Sequence, residues 1–196
     1  MDNYKLIVLA PPVATDVLEQ IGISFEKYEG ARPLEINSDE EMFELADRML
    51  KDADKNTIVL ATYTELILNK TKMGIPLNEE EAENMLNQLS GKTHHFITKM
   101  CIGGAGQPVD VIDDTAAVTF KELNEWEVKG YTSFSDYNYQ GAYSPMGKGA
   151  FFIRSISGDY NVIKGMPVNM LIGLLEKKYG ITPVEGKNIW WKGSNK

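Results

Sequence analysis

Residues Pro76 to Thr98 read PLNEEEAENMLNQLSGKTHHFIT, and this stretch decides the fold. Asn78 is a helix cap, with Glu81 at the third helical position where a capping box needs it. Ala82, Met85, Leu86 and Leu89 recur at helical spacing and predict one buried face. Gly91 predicts the stop. Two long strands are predicted next, Thr93 to Ile102 and Val109 to Phe120, with Gly103-Gly-Ala-Gly106 as the turn between them. A capped helix feeding a long hairpin is the centre from which the rest can be read.

Toward the N-terminus, Thr57 to Leu68 (TIVLATYTELIL) is rich in β-branched and apolar residues and predicts a central strand. Before it, Ser38-Asp-Glu-Glu41 forms another capping box, followed by Met42, Leu45, Ala46, Met49 and Leu50 at helical spacing. Lys5 to Ala10 predicts a buried strand broken by Pro11 and Pro12. Thr15 is expected to cap a short helix over Asp16 to Gln20, with Gly22 at its end. Ile23 to Tyr28 predicts a further strand, and Gly30 to Pro33 a loop. Toward the C-terminus, Glu122 to Lys129 predicts a short helix closed by Gly130, and Ala150 to Ser157 a strand. Pro167 opens a final helix that Gly180 stops. Strands and helices alternate around a hairpin, so the expected class is α/β with a mixed sheet and flanking helices.

The chain has 196 residues, 20 basic and 28 acidic, for a net charge of −8. An acidic surface repels phosphate backbones, so no nucleic-acid partner is expected. The single cysteine, Cys101, excludes an intramolecular disulfide and a thiolate zinc cluster. No apolar run is long enough for a membrane span, and the first residues lack a signal peptide's order, so a soluble cytoplasmic protein is expected. His94 and His95 are adjacent on a strand and point to opposite faces, which makes them structural rather than a shared metal site.

The order of several segments resembles the Maf, or septum-formation-inhibitor-like, family. Leu18 to Glu26 (LEQIGISFE) is similar to its first helix end and second strand. Pro76 to Thr98 resembles its E-A-x-x-M-L-x-x-L-S-G-x-x-H stretch. Gly141-Ala-Tyr143, Gly147, Gly149-Ala150, Gly158-Asp-Tyr160 and Gly165-Met-Pro167 resemble its closing glycine series. The resemblance runs over about residues 5 to 181. It implies an elongated mixed sheet with two lobes around a cleft, one domain over residues 1–182, and a polar tail at 183–196 carrying Trp190 and Trp191. It also implies nucleoside triphosphate pyrophosphatase activity, releasing a nucleoside monophosphate and pyrophosphate, with Mg²⁺ or another divalent cation and a homodimer.

That chemistry needs cations for the triphosphate, carboxylates for the metal, and a base for water. Set against the family's motifs, Met49 stands where L-A-x-x-K-A has its lysine, and Tyr63 where G-A-D-T has its catalytic aspartate. Ile75 stands at the lysine of G-K-P and Met146 at the glutamine of G-I-Q-G. The serine- and arginine-rich first loop is reduced to Pro11-Pro12-Val13-Ala14-Thr15. Positions that build the fold are kept while polar positions are replaced, the pattern of a pseudoenzyme or a strongly altered enzyme, with no intact catalytic residue. The remaining polar groups expected to touch a nucleotide-like ligand are Thr15, Tyr63, Thr64, Lys72 and Lys148. Asp114 is the metal-binding candidate. Lys70, Lys72 and Lys148 read equally as solvated loop lysines, and Asp110, Asp113 and Asp114 as a solvated strand edge. The alternative is a non-catalytic nucleotide-sensing or protein-interaction module using the aromatic stretch Tyr131 to Tyr143 or the tryptophan tail.

Overall fold

The computed structural model describes residues 4–30, 36, 38–51, 53–104 and 107–181. The elements, in chain order, are β1 (Lys5–Leu9), α1 (Pro12–Gln20), β2 (Glu26–Lys27), α2 (Asp39–Lys51), β3 (Thr57–Leu68), β4 (Thr71–Met73), α3 (Glu79–Leu89), β5 (Thr93–Gly104), β6 (Gln107–Phe120), α4 (Glu125–Phe134), β7 (Ile153–Ser157), α5 (Tyr160–Ile163) and α6 (Val168–Tyr179). The seven strands form one sheet in the order β2-β1-β3-β5-β6-β7, with β4 pairing to β3. The sheet is mixed: β1 runs parallel to β2 and β3, while β4 and β7 run antiparallel to β3 and β6. The expected α/β class with flanking helices is what the chain adopts.

The chain divides into two compact units. The first is built from Met1–Tyr63, Thr98–Asp114 and Lys164–Lys196, and the second from Thr64–Ile97 and Thr115–Ile163. In the first unit both faces of the sheet are covered. Leu6, Val8, Ile58, Leu60, Met100 and Ile102 pack with α1 and α6 through Val17, Leu18, Leu171 and Leu175. The alternate residues Leu9, Val59, Ala61, Tyr63 and Cys101 pack with α2 through Met42, Leu45, Ala46 and Met49. A strand covered on both sides favours apolar and β-branched residues at successive positions, which is why β3 begins as a run of them, with the buried threonines Thr57 and Thr62 among them. Burial pushes the Cys101 thiol up to about 11, so it is a packed, protonated side chain.

In the second unit, α3 and α4 cover Leu66, Leu68, Phe96, Ala116, Val118 and Phe120. Helix α3 is capped as expected, the Asn78 side chain accepting from the Glu81 N–H at 2.9 Å. A two-residue turn with Asn69 and Lys70 at φ +50° and +69° joins β3 to β4. Gly141 sits at φ +66°, where a Cβ would lie 2.8 Å from Leu66 Cδ1, so both backbone and packing require glycine.

Six local expectations are corrected. Helix α1 starts at Pro12, with Pro11 at the N-cap, so Thr15 lies inside it and does not cap; proline's fixed φ and missing N–H suit a helix start better than Thr15 does. Strand β2 is Glu26–Lys27, not Ile23 to Tyr28, because Ile23 joins the α1 core instead. Gly130 does not close α4, which runs to Phe134 from an Asn124 capping box. A 3-10 turn at Lys148–Phe152 precedes β7, which shortens that strand. Pro167 is the N-cap of α6 rather than its first residue. Gly103 and Gly104 extend β5 beyond the expected end at Ile102 instead of opening the turn; the rest of that turn, most of the Gly30–Pro33 loop and the tail with Trp190 and Trp191 lie outside the described residues.

His94 and His95 divide as expected: His94 is fully buried and His95 exposed. His94 Nε2 lies 2.6 Å from the Tyr143 hydroxyl, inside a cluster of rings with Phe96 and Phe120, and its Nδ1 has no partner. Desolvation, helped by His95, lowers its pKa from 6.5 to about 4. The unfolded chain therefore binds the proton more readily between those values. The contribution of His94 is complete above pH 6.5 and is lost as pH falls toward 4, on the order of 3 kcal/mol in all. Urea unfolding at stepped pH should show this acid slope, and His94→Gln, which does not titrate, should flatten it.

Candidate functional site

The alternation of β3 and β5 turns Tyr63 and Lys99 toward the side of the first unit that carries α2. Tyr63 is 4% exposed, so its hydroxyl needs a partner. It donates to Asp39 Oδ1 at 2.7 Å. The Lys99 ammonium donates to the same oxygen at 2.8 Å and lies 5.7 Å from the centre of the Tyr63 ring. Asp39 is the first residue of α2, where the helix dipole favours a carboxylate.

The three groups fix one another's charge state. The Lys99 hydrogen bond, then that of Tyr63, holds Asp39 below its ordinary pKa. Burial, then the Asp39 carboxylate, pushes Tyr63 well above 10. The Asp39 bond raises Lys99. At neutral pH the cluster is a carboxylate, a neutral phenol and an ammonium. Its phenol is a hydrogen-bond donor to Asp39 and cannot accept a proton from water. Neither Asp39 nor Lys99 was singled out in the sequence. The acidic start of α2 reads as a helix first turn, and Lys99 is one of several polar residues of β5, with Thr93, His94, His95 and Thr98. Lys99 on an inward-facing strand position is the signal that could have found it.

The other expected residues are placed as follows. Thr15 is 2% exposed, and its hydroxyl donates to the Pro12 carbonyl at 2.8 Å. Met49 is buried in the same apolar cluster as Tyr63, where a lysine ammonium would be desolvated. Asp114 is half-buried near the middle of β6, at the edge of the first unit. Asp110, four residues before it, is paired with Lys178 at 2.6 Å. Among the described residues no three His, Cys, Asp or Glu side chains converge; a Mg²⁺ ion, however, can be held by one or two carboxylates together with waters and substrate phosphates.

Thr64, Lys72 and Lys148 belong to the second unit. The Thr64 carbonyl accepts from Gln140 Nε2 at 2.8 Å, while Gln140 Oε1 accepts from the Leu66 N–H at 2.7 Å. One amide thus satisfies two backbone groups of β3, a structural role the sequence did not disclose. Lys72 is neutralised by Glu65 at 2.8 Å. Lys148 donates to the Phe134 carbonyl at 3.1 Å. Ile75 and Met146 are partly exposed apolar side chains.

A mixed sheet with helices on both faces of its first unit, and a phenol held between an acid and a lysine, defines an α/β protein with a polar cluster on a helix-covered sheet. The family model described as Maf-like protein matches residues 13–178. A dTTP/UTP pyrophosphatase of Ruminiclostridium cellulolyticum is 32% identical over 188 residues, covering 87% of this chain and 95% of the relative. A dTTP/UTP pyrophosphatase of Bacillus cereus is 33% identical over 186 residues, covering 90% and 91%. One of Pelotomaculum thermopropionicum is 32% identical over 191 residues, covering 90% and 97%. The chain belongs to the Maf family.

Removing one member of the cluster should move the others. Tyr63→Phe should cost about 1.5–3 kcal/mol in urea unfolding, the worth of a hydrogen bond to a charged group. Lys99→Met removes the largest influence on Asp39, so the Asp39 carboxyl, followed by carbon-13 NMR, should titrate at higher pH. An unmoved Asp39 titration would contradict the geometry.

Proposed function

We propose that this protein is a nucleotide pyrophosphatase-like member of the Maf family that has kept the fold and lost most of the hydrolytic chemistry. The ligand class is a nucleoside triphosphate or a similar small molecule, with the pyrimidine triphosphates dTTP and UTP first among them because the relatives act on these. The observation that carries the reading is Tyr63. It stands where the family resemblance places the catalytic aspartate, and it is a neutral phenol committed to Asp39 and Lys99. Met49, in place of the family's lysine, is buried among apolar side chains and offers no cation.

Two further features support it. Lys72 and Thr15, both candidates for ligand contact, have their polar atoms engaged within the protein. Maf-family pyrophosphatases generally use a divalent cation, and Asp114 is the carboxylate proposed to hold it here, together with waters and the phosphates of a bound nucleotide. A cytoplasmic location and a homodimer are part of the same proposal, and the homodimer rests on the family resemblance. No helix among the described residues is long and apolar enough to cross a membrane.

The test is pyrophosphate release from dTTP, UTP and modified nucleoside triphosphates with Mg²⁺, Mn²⁺ or Co²⁺, beside the Ruminiclostridium cellulolyticum relative. Loss of a general base alone slows a reaction by roughly 10²- to 10⁴-fold. Release at least about a hundredfold below the relative is expected, and comparable metal-dependent turnover would overturn the proposal. A melting-temperature rise with nucleotide but without turnover would identify a sensor.

A further inference from the structure

Helix α4 carries a row that neither the fold nor the proposed chemistry uses. Trp126, Gly130 and Phe134 follow one another at intervals of four, so they share one face. Trp126 is 74% exposed and Phe134 80%, and Phe151 opposite them is 76% exposed. Together they line a groove of about 510 Å³, within the range of small-molecule sites. Tyr131 and Phe152, in ring contact at 4.9 Å, also line it.

Gly130 is the telling residue. A glycine inside a helix costs roughly 0.5–1 kcal/mol relative to alanine. No close approach explains it, since a Cβ there would meet nothing within 4 Å. The space beside Gly130, between Trp126 and Phe134, is open, and a larger side chain at this position would project into it.

The groove also holds a fixed positive charge. Lys148 donates to the carbonyl of Phe134, the last residue of α4, which anchors the ammonium at the groove. Two of its N–H donors remain. No carboxylate pairs with Lys148 among the described residues, although the chain is acidic overall. The other lysine of the groove, Lys121, is already paired with Glu127.

We propose that this groove is a binding site for a planar aromatic anion, its rings lying against Trp126, Phe134 and Phe151 and its acidic group meeting Lys148. Charge argues against two other occupants. The chain's own segment 183–196 carries three lysines, Lys187, Lys192 and Lys196, against the single acidic side chain of Glu185, and is a poor match for a cation. A second copy docking through this same face would present Glu125 and Glu127, which Lys129 and Lys121 already hold. Of the residues expected to touch a nucleotide-like ligand, only Lys148 lines the groove; Thr15, Tyr63, Thr64, Lys72 and the metal candidate Asp114 do not, so the groove shares that one residue with the pyrophosphatase reading.

The test uses 8-anilinonaphthalene-1-sulfonate, a fused-ring aromatic sulfonate, titrated by fluorescence against the full chain. One saturable site is expected. Lys148→Met should weaken it by about tenfold, the worth of a charge-assisted hydrogen bond. Gly130→Leu should abolish it by filling the groove, with a melting temperature equal to or above the parent's to show the fold intact. The uncharged analogue N-phenyl-1-naphthylamine should bind more weakly than the sulfonate. Absence of binding, equal binding by Lys148→Met, or equal binding of the neutral analogue would overturn the proposal. Self-association abolished by Phe151→Ser would likewise overturn it and make the groove a contact between copies.

Discussion

Strand β3 must be buried on both faces over its first seven residues, Thr57 to Tyr63, and the first unit follows from that constraint. Odd and even residues of the strand serve different layers. Ile58 and Leu60 pack with α1 and α6, and Val59, Ala61 and Tyr63 pack with α2. Tyr63 is the last residue of this run, and it is the only one of the seven to bring an ionisable side chain. A phenol at such a position has two choices, an unsatisfied hydroxyl or a fixed partner. Asp39 supplies the partner from the start of α2, and Lys99 supplies the balancing charge from β5. Packing therefore decides the electrostatics: the same burial that holds the sheet together keeps the phenol protonated.

The second unit has no such double cover. Its apolar side chains gather on one side under α3 and α4, and its most exposed rings, Trp126, Phe134 and Phe151, remain at the surface. The Gln140 amide stitches the β3 backbone to the segment after α4, and Gly141 allows the chain to pass close to Leu66. These contacts are long in sequence separation and short in space. They show how Gln140 and Gly141 serve packing here.

The parts of the fold that were legible in the sequence are those governed by local rules. Helices α2 and α3 announce themselves through Ser38 and Asn78 and a clean apolar face, and the helix stop at Gly180 is a left-handed cap as its glycine suggests. Strand β3 was legible to its end residues because both-face burial leaves an unbroken apolar and β-branched run. What failed was competition between neighbours. Thr15 lost the start of α1 to the proline pair, and Gly130 was read as a stop because a mid-helix glycine is costly. At the site, motif resemblance located Tyr63 but could not show what it touches, since Asp39 and Lys99 lie 24 and 36 positions away in the chain. Likewise Lys148 looked like a free loop cation and is instead anchored on the end of α4.

The account turns on the protonation state of one side chain. Carbon-13 labelling of the tyrosine ζ carbon, with Tyr63 assigned by comparison with Tyr63→Phe, follows its ionisation directly by NMR. The structure predicts a neutral phenol throughout the physiological range and beyond the ordinary tyrosine midpoint near pH 10. A Tyr63 resonance that titrates near neutral pH would contradict it, because Tyr63 would then be an available base rather than a donor locked to Asp39.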